Sequence, residues 1–487
     1  MGYLDDLRGK GPTRRIAVLL CVFSLAALML MSSVASIAAD VNTPTNQVWD
    51  GTADVSWYND FETEFIIETP EQLAGLAQIV NGDAEDIGKD SFAGKTITLA
   101  SDVYLNATTV SEKTEGQRTW TPIGRDQFNH GGKGNTTQFD MIFRGTFDGG
   151  GHTVYNIYIF GPDAPHTKLD DMNIYGGNQG FFGILGEGAI IKNLGVTGYL
   201  QGRVVGGIAA ATCIQEQTPA NRPQIISCYN AATIYGDGSG DRGTGGIFGG
   251  QDRDNNWLAF VDITDCYNVG RISAISTNAI APVGGIAGVC DGHIKNCYNA
   301  GIIIKGKYSA GVSANMGIAT ENTNHGFAFD GSIENCYALT GASELLYKGH
   351  DYEGAQPPYR LIVAEHVDEI SSFKTADELR GMAQTLGAAW ADDTANINDG
   401  YPILAWQVKP IPTLVASTPS ASVVKLTGKQ NEISITITEV YSDGSQAEVT
   451  WSGLIDNNAA GTYSVGNYQV FVDTKGNDQI RDCRIVE

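Results

Sequence analysis

Residues 284–299 read GGIAGVCDGHIKNCYN and contain both of the motifs that indicate the fold of this chain. The first motif is a glycine pair followed by isoleucine. The second is isoleucine, any residue, a small polar residue, cysteine and tyrosine. The glycine pairs begin at Gly206, Gly245 and Gly284 and are 39 residues apart both times. Self-similarity at a fixed period in the range of roughly 20 to 50 residues predicts a repeat architecture.

The second motif alternates with the first and has leucine in place of cysteine in its first copy. Its copies begin at Ile191, Ile225, Ile263, Ile294 and Ile333. The intervening segments are rich in isoleucine, valine and tyrosine and are bounded by glycine and asparagine, which is typical of strands and turns. Two motifs per repeat predict about 20 residues per rung, the size of one three-strand coil of a right-handed parallel β-helix.

The motif residues have distinct expected roles in such a rung. The isoleucine and the cysteine should point inward and stack, the asparagine suits a left-handed bend, and the glycine pair allows a turn that a side chain would not fit. Two rungs apart, the cysteines would be separated by about 9–10 Å, too far for a disulfide. We therefore predict buried, reduced thiols in the motif cysteines Cys228, Cys266, Cys297 and Cys336.

The flanking segments predict caps and a second domain. Thr69 followed by PEQLAGLAQIVN predicts a capped helix that covers the open end of the solenoid, and Thr375–Gln384 predicts a helix near the closing end. The predicted divisions are a signal peptide at 1–39, an N-terminal cap with the first β-helix rungs at 40–165, the repeat β-helix with its closing end at 166–407, a linker at 408–421 and a small immunoglobulin-like β-sandwich at 422–487.

The first 39 residues have the features of an export signal. Basic residues precede the apolar run Ile16–Met31, and the small residues of Ser36-Ile37-Ala38 suit a signal peptidase. The run is shorter than the about 20 residues of a membrane span, so we expect no stable membrane insertion after signal removal. The sequence predicts a protein that is secreted, extracellular or associated with the cell wall.

Charge and residue spacing exclude several kinds of partner. The chain has 31 basic and 55 acidic residues, a net charge of -24, whereas nucleic acids and anionic lipids require clustered lysine and arginine. Cysteine and histidine spacing does not match a zinc site. We therefore expect no nucleic acid partner, no metal and no cofactor.

Candidate binding residues lie in a long loop between two repeats. Trp257 can stack on a sugar ring or anchor a partner, and Asp252 and Asp254 are polar neighbours. Carboxylates that a lyase or hydrolase would need occur at Asp291-Gly-His293-Ile-Lys295, Gly349-His350-Asp351 and Asp392-Asp393, although turns also favour such residues. Asp148 and His152 flank three glycines, which indicates a turn more than catalysis.

The order of the segments resembles that of GLUG-motif surface proteins of Gram-positive gut bacteria. The resemblance rests on TPEQLAGLA, FAGKTITLASDVYL, WTPIG, FRGTFDGGGHTV, IKNLGV and CYNAG, and covers about residues 45–407. Isoleucine replaces leucine in the core motif, and Ala210 replaces the last glycine of the first copy. The resemblance implies an adhesin-like β-helix. GLUG repeats also occur beside bacterial immunoglobulin A peptidases, but this chain has no HExxH motif, so no peptidase role carries over.

We therefore expect a non-catalytic surface protein that binds a host or matrix ligand, either a glycan or a protein. The alternative is a polysaccharide lyase or glycoside hydrolase on the same scaffold. An enzyme would bring three or more carboxylates and a lysine or arginine together on one face across neighbouring rungs.

Overall fold

In the computed structural model the chain forms two compact units, and the boundary between them in the sequence falls between Lys409 and Pro410. The division predicted at residue 165 lies outside the described residues and stays a prediction. The predicted export signal lies outside the described residues. The structure describes residues 48–112, 114–125, 141–160, 177–214, 219–236, 243–250, 259–274, 282–304, 308–310, 312–316, 319–320, 331–341, 359–360, 370–409, 413–419, 423–426, 432–442, 445–454, 461–465, 468–472 and 481–486.

The first unit is built mainly from parallel strands. Its largest sheet contains, among the described residues, 17 strands that are all paired in parallel. These strands are Glu64–Ile67, Thr96–Leu99, Val103–Tyr104, Thr146–Ile159, Ile190–Gly202, Gln224–Ile226, Tyr229–Asn230, Thr233–Gly236, Asp262–Thr264, Tyr267–Asn268, Ile272–Ala274, Ile294–Lys295, Tyr298–Asn299, Ile303–Ile304, Ile333–Glu334, Tyr337–Leu339 and Ser372–Lys374. We call this sheet the long sheet.

The glycine motif forms a second parallel sheet. Gly206, Gly245 and Gly284 are paired in register. Its strands are Asn178–Gln179, Val204–Gly206, Thr244–Gly245, Pro282–Gly284 and Tyr308–Ala310. Shorter parallel pairs join Phe182–Gly186 to Ala209–Cys213 and Ala287–Cys290 to Ser313–Met316.

The pairing shows that the predicted rung size is wrong. Ile225 pairs directly with Ile263, and Ile263 pairs with Ile294, so neighbouring rungs are one full repeat apart. The two motifs of a repeat therefore lie on different faces of the same rung and do not form successive rungs. The motif cysteines are consequently neighbours in the ladder, closer together than the spacing predicted from half-repeat rungs.

Inward-facing residues form a continuous core. The motif isoleucines and cysteines are fully buried, whereas the polar residue before each cysteine has a left-handed backbone with φ between 51° and 54°. These left-handed residues are Asn193, Ser227, Asp265, Asn296 and Asn335. The bend turns the chain so that the cysteine points inward and the next residue, tyrosine, points outward.

The cysteines are free thiols in the described part of the chain. The backbone N–H groups of Cys228 and Cys266 each donate to the sulfur of the next cysteine along the ladder, at 3.4 Å. Burial raises the pKa of the Cys266 and Cys297 thiols well above the usual range, because the thiolate would be desolvated.

We predict that these thiols are chemically silent in the folded protein. Maleimide labelling followed by peptide mass spectrometry should leave the peptides of Cys228, Cys266, Cys297 and Cys336 unmodified in buffer and modify them in denaturant, because the reactive thiolate is scarce and inaccessible. Rapid labelling of these peptides at neutral pH without denaturant would contradict the buried ladder.

Asparagines form a second buried ladder. Asn230 donates to Asn268, and Asn268 donates to Asn299, each at 2.7 Å. Each side chain also closes its own turn: Asn268 accepts from the Gly270 N–H at 3.1 Å and donates to the Gly270 carbonyl at 3.0 Å. These side chains are fully buried. The ladder therefore satisfies its own polar groups inside the core.

The motif glycines are required by close packing. A Cβ atom on Gly245 would overlap the carbonyl oxygen of Phe248, and one on Gly246 would overlap the side chain of Asn268. The first glycine thus allows a tight turn, and the second makes room for the asparagine ladder. This contact explains physically why the two motifs recur together.

The helix predicted after Thr69 is present. The helix Pro70–Asn81 begins after Thr69, whose side chain accepts from the Gln72 N–H, and its buried face, including Leu73 and Leu76, joins the main core. Among the described residues the other helices are Ala376–Arg380 and Ala383–Leu386, with 3-10 turns at Pro219–Asn221 and Ala405–Gln407. No helix of this part of the chain has both the length and the apolar character needed to cross a membrane.

The segment 370–407, which we call the strap, contains two short helices and three short strands. Ser372–Lys374 adds a last parallel strand beside Tyr337–Leu339. The predicted single helix is two short helices, because the first one ends at Gly381. Trp390–Ala391 then pairs antiparallel with Ile403–Leu404. The strap returns along the outside of the long sheet and does not simply close its end.

The second unit contains seven described strands in two antiparallel sheets. One sheet consists of Leu414–Pro419, Glu432–Tyr441 and Gln446–Leu454, and the other of Val423–Leu426, Arg481–Val486, Tyr468–Val472 and Gly461–Val465. The first strand lies within the predicted linker 408–421. The first two strands belong to different sheets. The immunoglobulin-like assignment stays a prediction, since alternation predicts strands and leaves their order undetermined.

Candidate functional site

Outward-facing tyrosines form a ladder on the long sheet. Tyr229, Tyr267, Tyr298 and Tyr337 occupy equivalent positions in successive rungs. The rings of Tyr229 and Tyr267 are stacked with centroids 5.1 Å apart, and those of Tyr267 and Tyr298 are 5.2 Å apart. Parallel pairing in register dictates this stacking, since each rung repeats the same side chain at the same place.

The strap covers this ladder. The Tyr298 hydroxyl donates to the Pro402 carbonyl at 2.6 Å, and the Trp406 indole N–H donates to the Ser227 carbonyl at 2.9 Å. Leu379, Leu386, Trp390 and Leu404 pack against the rings. The four tyrosines are therefore buried and unavailable to a ligand.

Beyond the strap, a second pair of tyrosines lies on the same sheet. Tyr104 and Tyr155 are paired in register, and their rings are stacked with centroids 4.7 Å apart and planes 14° apart. Both side chains are half-buried. Desolvation is the main cause that raises the pKa of Tyr155, and the nearby Asp102 carboxylate raises it further. The Tyr155 hydroxyl therefore stays protonated.

A polar pair borders these rings. Asp102 precedes Tyr104 by two residues in the sequence and accepts from the Thr153 N–H at 2.9 Å. The same carboxylate oxygen is 3.4 Å from Nδ1 of His152, and the two side chains remain 27% and 32% exposed. Hydrogen-bonding groups are thus accessible to solvent next to an aromatic stack. We call Asp102, Tyr104, His152 and Tyr155 the tyrosine–aspartate site.

The glycine run Gly149–Gly151 lies directly before His152 in the chain. Gly150 and Gly151 have φ values of 62° and 78°, and Asp148 accepts from the Gly150 N–H at 2.9 Å. Burial disfavours the Asp148 carboxylate, but hydrogen bonds from Gly150, Asn193 and Lys192 outweigh this effect and lower its pKa. The glycine run is therefore a tight turn within the strand Thr146–Ile159, where the pairing register shifts between Asp148 and His152.

Trp406, at the end of the strap, lies next to this turn. Its ring packs at 5.9 Å from that of Tyr229 and would contact a Cβ atom on Gly151. The Tyr229 hydroxyl in turn shares a 2.9 Å hydrogen bond with Thr153, which precedes Tyr155 by two residues. The strap thus supports the tyrosine–aspartate site through buried contacts and leaves Trp406 as a half-buried neighbour.

Comparisons with known proteins add little about activity. No protein-family model and no curated protein matches the chain. Among solved structures, the chain is similar to a candidate immunoglobulin A1 protease from Bacteroides ovatus, with 20% sequence identity and a TM-score of 0.41. The similarity covers 70% of this chain and 92% of that one. At this TM-score and identity, the likeness supports no inference about function.

The residues predicted as a binding site are not placed by the structure. Trp257, Asp252 and Asp254 lie outside the described residues, as do Gly349-His350-Asp351. Asp393 caps its own loop by accepting from the N–H groups of Asn398 and Gly400. That arrangement gives Asp393 a structural role.

The predicted segment 291–295 takes part in a polar row on the outer face of the long sheet. His293 Nδ1 is 2.9 Å from the Ser332 hydroxyl, which donates to Glu334 at 2.8 Å, and Lys295 is 3.4 Å from Glu334. Asp262 accepts from the His293 N–H at 2.9 Å. The row brings two carboxylates, a lysine and a histidine together across three rungs.

Metal binding is not indicated in the part of the chain that the structure describes, where no group of three or more histidine, cysteine, aspartate or glutamate side chains is arranged to hold an ion. The tyrosine–aspartate site was not predicted from the sequence. A usable signal exists, since the segments DVYL at 102–105 and HTVYN at 152–156 share a Val-Tyr pair.

Proposed function

We propose that this chain is a secreted or cell-surface, adhesin-like protein that binds an extracellular glycan without catalysing a reaction. The observation that carries the proposal is the accessible tyrosine–aspartate site, where the stacked pair of Tyr104 and Tyr155 adjoins Asp102 and His152. A right-handed parallel β-helix would supply the scaffold, and the small β-sandwich at 422–487 would be an accessory domain.

The chemistry of the site suits a sugar. Aromatic rings pack against the apolar faces of pyranoses, while carboxylate, imidazole and phenol groups exchange hydrogen bonds with hydroxyls. The Asp102 carboxylate is held by Thr153, and the tyrosine rings hold each other. Little side-chain entropy would be lost on binding, because the groups are already ordered.

Replacing Tyr155 with alanine should weaken glycan binding about fivefold or more, because stacking of an aromatic ring contributes of the order of 1 kcal/mol or more. A glycan array with the chain 40–487 would identify ligands, and calorimetry would compare affinities. The matched control is Tyr235→Ala, a half-buried tyrosine that packs near Tyr199 in another cluster. Equal loss in both variants, or none in Tyr155→Ala, would contradict the proposed site.

A polysaccharide lyase or glycoside hydrolase is the second candidate function, and the polar row of Asp262, His293, Lys295 and Glu334 favours it. Release of unsaturated or reducing sugar, followed by absorbance in the same samples, tests this candidate. Product formed by the wild-type chain and abolished by Glu334→Gln would overturn the non-catalytic proposal. Binding without product would support it.

A further inference from the structure

The tyrosine–aspartate site has a charge pattern that bears on the class of glycan it would accept. Asp102 presents a carboxylate beside the rings, and Asp148 presents another beyond the glycine turn. A lysine and a histidine contact these residues, and each already faces a carboxylate. Lys192 is 3.1 Å from Asp148, and His152 is 3.4 Å from Asp102.

A bound anion would therefore meet an unfavourable potential. A uronate or sialate carboxylate placed over Tyr155 would lie close to the Asp102 carboxylate, and no cation would be available to pair with the ligand. Two like charges at close range repel appreciably at the surface of a protein. The net charge of -24 adds long-range repulsion. A hydroxyl or ammonium group would instead find acceptor oxygens on Asp102 and the tyrosines.

We propose that the tyrosine–aspartate site selects neutral sugars and amino sugars and rejects acidic ones, and that Asp102 is the residue that determines this selectivity. This inference rests on the proposed glycan-binding function. It assigns Asp102 an electrostatic role in addition to its contact with Thr153.

The test uses oligosaccharide pairs that differ in charge and share their linkages. Methyl-esterified and de-esterified oligogalacturonides form one pair, and chitin and partly deacetylated chitin oligosaccharides form another. The wild-type chain 40–487 should bind the esterified form about tenfold more tightly than the de-esterified form. It should bind the deacetylated chitin oligosaccharides at least as tightly as the acetylated ones.

Asp102→Asn should remove most of the discrimination within the oligogalacturonide pair. Asparagine retains the oxygen that accepts from Thr153, so the fold should be preserved, which a thermal melt would verify. Glu85→Gln, which neutralises an exposed carboxylate elsewhere, is the control and should leave the ratio unchanged.

The outcomes separate the two proposals. Equal affinity for both oligogalacturonides, a preference for the acidic form, or an unchanged ratio in Asp102→Asn would overturn the selectivity and leave glycan binding standing. Failure to bind any glycan on the array or in either pair would overturn the proposed function, and the selectivity with it.

Discussion

Replacing Gly245 with alanine is expected to destabilise the first unit by about 3 kcal/mol, a value at the upper end of what overpacking costs in a core. The added Cβ would overlap the carbonyl oxygen of Phe248 and lie close to the backbone of Ala287 and Gly288. All of these atoms belong to the main chain, so no rotation of a side chain can relieve the clash. The backbone of two neighbouring rungs would have to shift.

Thermal and urea unfolding of the chain 40–487, followed by far-ultraviolet circular dichroism, would measure the effect. Gly88→Ala is the matched control, because its added Cβ meets no atom within 4 Å. We expect a small change for the control and a much lower midpoint, or insoluble protein, for Gly245→Ala. Similar midpoints for the two variants would show that the turn tolerates a side chain.

Replacing Asn268 with alanine is expected to cost about 3 kcal/mol or more, because several buried polar groups would lose their partners at once. Asn268 donates to Asn299 and to the Gly270 carbonyl and accepts from Asn230 and the Gly270 N–H. Water cannot easily replace these bonds, since the whole ladder is buried. The loss should therefore exceed that of a single exposed hydrogen bond.

Two further variants separate hydrogen bonding from packing. Asn268→Leu restores the lost volume without the polar groups, so we expect it to be no more stable than Asn268→Ala. Gln384→Ala, at an exposed helical position, should change the free energy of unfolding little. Recovery of stability by leucine would mean that the asparagine ladder acts mainly by filling space.

The sequence predicted the local geometry of the repeat better than its long-range arrangement. The small polar residue before each motif cysteine has a left-handed backbone, which asparagine and aspartate favour, as at Asn296 and Asp265; Ser227 adopts it without that preference. The predicted rung size was wrong because two motifs per repeat are compatible with two arrangements. The motifs can form two successive rungs, as the prediction assumed, or they can belong to one rung. Strand pairings such as that of Ile225 with Ile263 distinguish the two arrangements.

The tyrosine–aspartate site was missed for a related reason, because the shared Val-Tyr pair does not show which strands are neighbours. Asp102 and His152 come from the irregular first rungs, where no repeat fixes which strand positions are paired. Trp406 approaches them only because the strap returns along the sheet, and nothing in its own sequence specifies that path. The sequence instead predicted Trp257 as a binding residue, because a tryptophan between two repeats can be recognised without knowledge of register.

The strap has a further consequence for how this protein could change in size. It is fastened at two fixed points, beside Tyr337 at its start and over Tyr229 at its end. A duplicated repeat would insert into the parallel pairing without disturbing register, but each new rung would separate those points by about 4.8 Å. The length of the strap therefore limits the number of repeats between its two attachment points. Adding a repeat would require a longer strap.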